Sequence, residues 1–179
     1  MSRQEAEIFL IDANVLITPC ETYYPFDFAP AYWSFLEREI KSGSIQLLDK
    51  VHDEISKGKE LRQWIGDVTG FSIIDSRDNL ILEKYASILD YLQNGKNNKN
   101  EAIYKDSALF EWSKSNVADP WLIATAMARG YVLVTLEQPN RSLGTSAAKS
   151  AKVPDVCKHF DLPCIDLFAM IRKLGFIFE

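Results

Sequence analysis

DPWLIATAMARGYVLVTLE, residues 119–137, joins one helix to one buried strand. Asp119-Pro120 reads as a helix start, an N-cap residue followed by proline at the first helical position. Ala124, Thr125, Ala126 and Ala128 are small enough to let that helix pack close to a sheet, and Gly130 stops it. Tyr131 to Thr135 (YVLVT) is an apolar, β-branched run suited to a buried strand. Glu137 follows two residues beyond the strand. The same pattern occurs near the N-terminus, where EIFLI (7–11) ends abruptly in Asp12-Ala13-Asn14.

Working outward, strands and helices alternate. VLITP (15–19) carries Pro19, expected to break the chain path after it, and 20–30 (CETYYPFDFAP) reads as a loop. Residues 31–42 place Trp33, Leu36 and Ile40 at helical spacing, closed by Gly43. IQLL (45–48) is a short strand or extended segment. Residues 50–65 read as helix, with Val51, Ile55, Leu61 and Ile65 on one side and Gly58 as an interruption that allows two shorter helices. Phe71 to Ile74 fits either a strand or a helix connection. Residues 78–92 form an amphipathic helix with Asp78 as N-cap; 94–100 (NGKNNKN) reads as a mobile loop, and 101–115 as another helix. Residues 137–152 are irregular. A short helix starts at Val153, Pro163 to Ile165 is a strand, and 166–174 a closing helix. The expectation is an α/β chain with helices on both faces of a parallel sheet, and a single domain over 1–179, with no repeat and no linker.

Composition narrows the function classes. Hydrophobic residues make up 47% and charged residues 25% of 179, which is ordinary for a globular protein able to bury a core. Net charge is −5, which argues mildly against non-specific nucleic-acid affinity, although an acidic metal site would itself contribute negative charge. The cysteines Cys20, Cys157 and Cys164 form no CxxC pair, and only His52 and His159 are present, so a zinc site is poorly supported and reduced thiols in a cytoplasm are expected. The start MSRQEAEIFLID does not read as a signal peptide, and no apolar run is long enough to span a membrane. Neither GxxxxGK[ST] nor GxGxxG occurs.

Four carboxylates stand out, each with a plainer alternative. Asp12 follows a strand directly, at the functional edge of a parallel sheet, or simply ends the strand in a turn. Asn14 is placed to brace it. Glu54 lies near the start of its helix, where it would equally favour the macrodipole. Asp119 points from a helix start, or merely caps it. Glu137 lies beyond a strand that offers the Thr135 hydroxyl, or begins an ordinary polar loop. Together they form a set of oxygen donors suited to Mg²⁺ or Mn²⁺ and mutually repulsive without a cation.

FLIDANVL around Asp12, VHDEI around Glu54, ADPWLIATA around Asp119 and VLVTLE around Glu137 together resemble the PIN-domain nucleases, over about residues 8–138. The interval from Asp119 to Glu137 is 18 residues. KVPDVC (152–157), CIDLF (164–168) and LGF (174–176) are similar to a poorly characterised bacterial PIN-like subgroup. The resemblance implies a three-layer α/β/α fold with a central parallel sheet and metal-dependent cleavage of RNA, often by VapC-like toxins of toxin–antitoxin pairs, with an antitoxin partner and a homodimer. It implies Asp12, Glu54, Asp119 and Glu137 as catalytic metal ligands for Mg²⁺ or Mn²⁺, with Asn14 and Thr135 orienting them. The chain departs from the family in having Glu137 where Asp is usual, Pro139 in place of a possible further acid, and extra material around 18–30 and 93–118.

A nuclease also needs phosphate contacts. Residues 138–158 carry Arg141, Lys149, Lys152 and Lys158 against Asp155 alone. Arg141, Lys149 and Lys152 are the candidate nucleic-acid contacts, with a solvated face as the alternative. Lys57, Lys59 and Arg62 form a second candidate group, and Tyr23, Tyr24, Phe26 and Phe28 are either base-stacking or satellite core. Two other functions stay open: a PIN-like module that binds RNA or protein without catalysis, and a different Mg²⁺-dependent phosphoryl-transfer enzyme, for which the DxD start is missing because Asn14 fills its second position.

Overall fold

The computed structural model describes residues 7–55, 59–68, 73–141 and 143–178. Five short strands form one parallel sheet: β1 (Phe9–Ile11), β2 (Ile45–Leu48), β3 (Ile73–Ile74), β4 (Val132–Val134) and β5 (Cys164–Ile165). Their order is β3-β2-β1-β4-β5. The chain moves outward from β1 through β2 to β3, then returns to the other side of β1 as β4 and continues to β5. The order therefore reverses between β1 and β4, and a crevice outside the carboxyl ends of these two strands is where such sheets place ligands. The register Phe9↔Val132, Leu10↔Leu133, Ile11↔Val134 brings those ends level.

Successive residues of a strand point to opposite faces. Phe9, Leu10, Ile11, Leu133 and Val134 are all buried, so both faces of the central strands are covered. The covering helices are α1 (Asn14–Thr18), α2 (Pro30–Lys41), α3 (Asp49–Ile55), α4 (Lys59–Asp67), α5 (Asn79–Asn94), α6 (Asp106–Trp112), α7 (Asp119–Arg129), α8 (Val153–His159) and α9 (Leu167–Lys173). The result is a three-layer α/β/α fold. Helix α5 packs along α7, where Tyr85 stacks on Trp121 at 3.8 Å. Asp78 caps α5, accepting from the Leu80 N–H at 2.9 Å. Gly130 ends α7 at φ +69°, a conformation that a side chain would strain. Among the described residues, no helix is long and apolar enough to cross a membrane.

Two sequence expectations change. Pro19 does not break the chain's helical path: Pro19–Tyr23 forms a π-helical turn continuing from α1, closed by Tyr24 N–H on Pro19 O at 2.7 Å. Proline in a first turn has no donor to lose there. Beyond α5, residues 95–100 form the loop expected there, turned around Asn97, whose Oδ1 accepts from the N–H groups of Lys99 and Glu101. Residues 101–105 are extended, not helical, because Tyr104 bridges to Ala148, and α6 begins only at Asp106. The residue 50–65 helix divides into α3 and α4, and Ile73–Ile74 is strand; Lys57, Gly58 and Phe71 lie outside the described residues. Of the exposed-aromatic candidates, Phe26 stacks on Trp33 at 4.1 Å and Tyr24 packs on Tyr32, so both belong to a satellite core, whereas Phe28 is exposed.

Candidate functional site

Asp12 leaves β1 at the level where β4 ends; its N–H donates to Val134 O at 2.9 Å. Its carboxylate is buried and held from two sides. Thr135 Oγ1 donates to Asp12 Oδ2 at 2.8 Å, and Asn14 Nδ2 donates to the same oxygen. Asn14 Nδ2 also reaches Thr135 Oγ1 at 3.0 Å, while Asn14 Oδ1 accepts from the Leu136 N–H at 2.8 Å. One asparagine side chain thus ties the end of β1 to the end of β4 and fixes the Asp12 carboxylate between them. Asn14→Ala leaves Leu136 N–H without that acceptor, and is expected to destabilise the chain by about 1–3 kcal/mol. Chemical denaturation of the two proteins side by side measures this.

Asp119 opens α7, but it does not cap it. The capping position is Ala118, already helical at φ −77° and ψ −29°, and no side chain caps the end. The Asp119 carboxylate has no hydrogen bond or ion pair among the described residues. Burial, then the nearby charges of Asp12, Glu137 and Glu54, push its pKa up to about 7. Burial also raises Asp12 to about 6, with Glu54 and Glu137 adding to the effect against the hydrogen bond from Thr135. Asp12, Asp119, Glu54 and Glu137 are therefore close enough for their charges to interact.

Glu54 is exposed and is the penultimate described residue of α3, not near its start. The helix dipole does not favour a carboxylate there. Glu54 instead lines, with Asp119, a groove of about 550 Å³ completed by Lys50, Asp53, Ser115 and Asn116. Lys50 lies four residues before Glu54 on the same face, its ammonium 5.8 Å above the Trp121 ring. Sequence reasoning missed this groove, because only the fold sets α3 against the loop preceding α7.

Both carboxylate oxygens of Glu137 are engaged. Its Oε1 accepts from Lys152 Nζ at 2.7 Å and its Oε2 from the Val153 N–H at 2.9 Å. Lys152, expected at a phosphate, is thus engaged by Glu137, while Arg141 and Lys149 are exposed. Asp155, buried, accepts from the Asn140 N–H at 2.9 Å and pins the same irregular segment. Among the described residues, no three Asp, Glu, His or Cys side chains are gathered as a ready metal shell. The donor chemistry does fit a hard divalent cation: Asp12 is a buried and Asp119 a half-buried oxygen donor, and burial together with the neighbouring carboxylates disfavours the ionised form of each. All three cysteines are free thiols.

Among solved structures the chain is similar to FitAcB from Neisseria gonorrhoeae, at 16% identity over 90% of this chain and 99% of that one, with a TM-score of 0.50. It is also similar to VapBC-1 from nontypeable Haemophilus influenzae (13% identity, 90% and 98% covered, TM-score 0.49). A third is VapBC2 from Rickettsia felis bound to a DNA fragment from their promoter (17%, 81% and 99%, 0.44). At 16% identity the likeness to FitAcB speaks to fold alone, the three-layer PIN-like one. No curated protein matches the sequence. A family model described as a domain of unknown function, DUF4411, matches residues 9–178, and the chain belongs to that family.

Proposed function

We propose that the protein is a metal-dependent endoribonuclease. The observation that carries this reading is Asp119: a half-buried carboxylate with no hydrogen-bond partner among the described residues, lining the groove at the strand-order reversal and close enough to Asp12 for their charges to interact. A carboxylate with no hydrogen bond of its own, set beside other carboxylates in a groove at a sheet's ligand edge, has its oxygens open to a cation. Asp12 and Asp119, with Glu54 at the groove, would hold Mg²⁺ or Mn²⁺. When bound, such an ion supplies an acidified water and offsets charge on the phosphate. Asn14 and Thr135 keep the Asp12 carboxylate aimed at the crevice, and Lys50 lies along the groove by which a strand would approach. The expected products carry 5′-phosphate and 3′-hydroxyl ends. The proposal extends to a toxin role with an antitoxin protein as partner, to a homodimer and to a cytoplasmic location.

The test is cleavage of labelled single-stranded RNA and DNA with Mn²⁺, Mg²⁺ or EDTA. Metal-dependent cutting of RNA supports the reading. Its absence, together with absence of metal binding, favours the second reading, a non-catalytic module that binds RNA or protein. The pairing of Glu137 with Lys152 is the observation on that side.

Lys152 is engaged, so the phosphate patch is best tested at Arg141 and Lys149. The double charge reversal Arg141→Glu, Lys149→Glu is expected to weaken RNA binding and to lower the slope of log K against log salt by about 0.7 for each phosphate contact removed. Fluorescence anisotropy across a salt series measures it, and an unchanged slope removes this patch from the interface.

A further inference from the structure

The chain between β4 and α8 runs irregularly and returns to the sheet edge at one charged clasp. Both carboxylate oxygens of Glu137 are occupied there, Oε1 by Lys152 Nζ at 2.7 Å and Oε2 by the Val153 N–H at 2.9 Å. The Glu137 N–H donates to Thr135 Oγ1 at 3.1 Å, so the residue is fixed at both ends. Its side chain is 22% exposed, and that of Lys152 41%. The extra methylene of glutamate over aspartate suits this geometry, because it carries the carboxylate past the strand end to α8.

Resting on the nuclease reading above, we infer that Lys152 is a resident counter-cation serving the Glu137 side of the carboxylate cluster. Glu137 then positions Lys152 and α8 and is not a metal ligand, which leaves Asp12 and Asp119, with Glu54 at the groove, to take an ion. For an ion to take Glu137 as well, it would have to displace a charge-assisted hydrogen bond and a backbone one together. Lys152, so held, is a positioning residue and not a contact to the substrate's phosphates.

Mn²⁺ binding to the full, metal-free chain, followed by calorimetry and electron paramagnetic resonance without RNA, tests this. Wild type is expected to take one Mn²⁺. Glu137→Gln is expected to keep it, weakened by no more than about tenfold, the low end of the loss for an outer-shell change. Lys152→Met frees Glu137 and is expected to take a second Mn²⁺, or to hold the first more tightly; Lys152→Arg should behave as wild type. A merely structural clasp would lower stability in Lys152→Met without adding metal affinity. Glu137→Gln that stays folded yet loses Mn²⁺, where wild type binds it, overturns the inference alone. So does a folded Lys152→Met that binds Mn²⁺ as wild type does. If Lys152→Met fails to fold, Glu137→Gln still decides. Wild type that binds no Mn²⁺ overturns the metal reading and this inference together.

Discussion

Asp119→Asn is expected to reduce metal-dependent RNA cleavage by about 10³-fold or more, because a ligand that helps acidify water and offset phosphate charge acts mainly in the transition state. The substitution is nearly isosteric, and the side chain it alters caps nothing and is hydrogen-bonded to nothing among the described residues. The fold should therefore survive, and the metal-free variant should melt no lower than wild type. This separates Asp119 from Asp12, whose carboxylate also holds Asn14 and Thr135, so that Asp12→Asn mixes catalytic with structural loss. The measurement is a single-turnover cleavage rate with saturating Mn²⁺, with circular dichroism to confirm folding. If Asp119→Asn cuts within tenfold of wild type, the carboxylate is not a catalytic ligand and the proposed mechanism fails.

How far the sequence disclosed this site depends on how local each cause is. Asp12 and Glu137 are legible because each follows an apolar run that can only be a buried strand, and the structure puts both runs side by side at the centre of the sheet. Helix α7 is legible from its small residues and its terminal glycine. Asp119 is legible as a helix start but misread as a cap, because Ala118 already adopts helical dihedrals and the helix begins one residue sooner than proline suggests. Other features depend on distant segments. Residues 101–105 are extended because Ala148 pairs with Tyr104, more than forty positions away. Lys152 reads as a phosphate contact by composition, yet its partner lies across an irregular segment that no periodicity describes. Glu54 lies at the exit end of α3, and only its position opposite the loop before α7 makes it part of a groove.

The metal-free chain is expected to lose stability as pH rises from about 4 to about 7. Asp12 and Asp119 both start from an ordinary value of 3.8 and are raised on folding to about 6 and about 7. Below 3.8 both states hold their protons and these groups cost nothing. As pH rises, the unfolded chain ionises first while the folded chain must keep the protons or bury the charges. The penalty therefore grows until pH passes the folded values and is constant above them. Taken together the two groups contribute on the order of a few kcal/mol, less than the separate displacements would suggest because each raises the other. Asp75, held near 2 by Arg77, contributes with the opposite sign at lower pH, between about 2 and its ordinary 3.8. The informative quantity is thus the difference between wild type and Asp119→Asn in EDTA. The variant should melt higher at pH 8, by roughly 5 °C or more for a chain of this size, and the gap should close toward pH 4. Mn²⁺ should raise the melting temperature of wild type at pH 8 and that of the variant far less, since a divalent cation relieves the repulsion that the substitution removes. A gap that is absent at pH 8, or widens on acidification, means that the fold does not disfavour the ionised form of Asp119. The physical basis for a cation in this crevice would then be lost, whatever the cleavage assay returned.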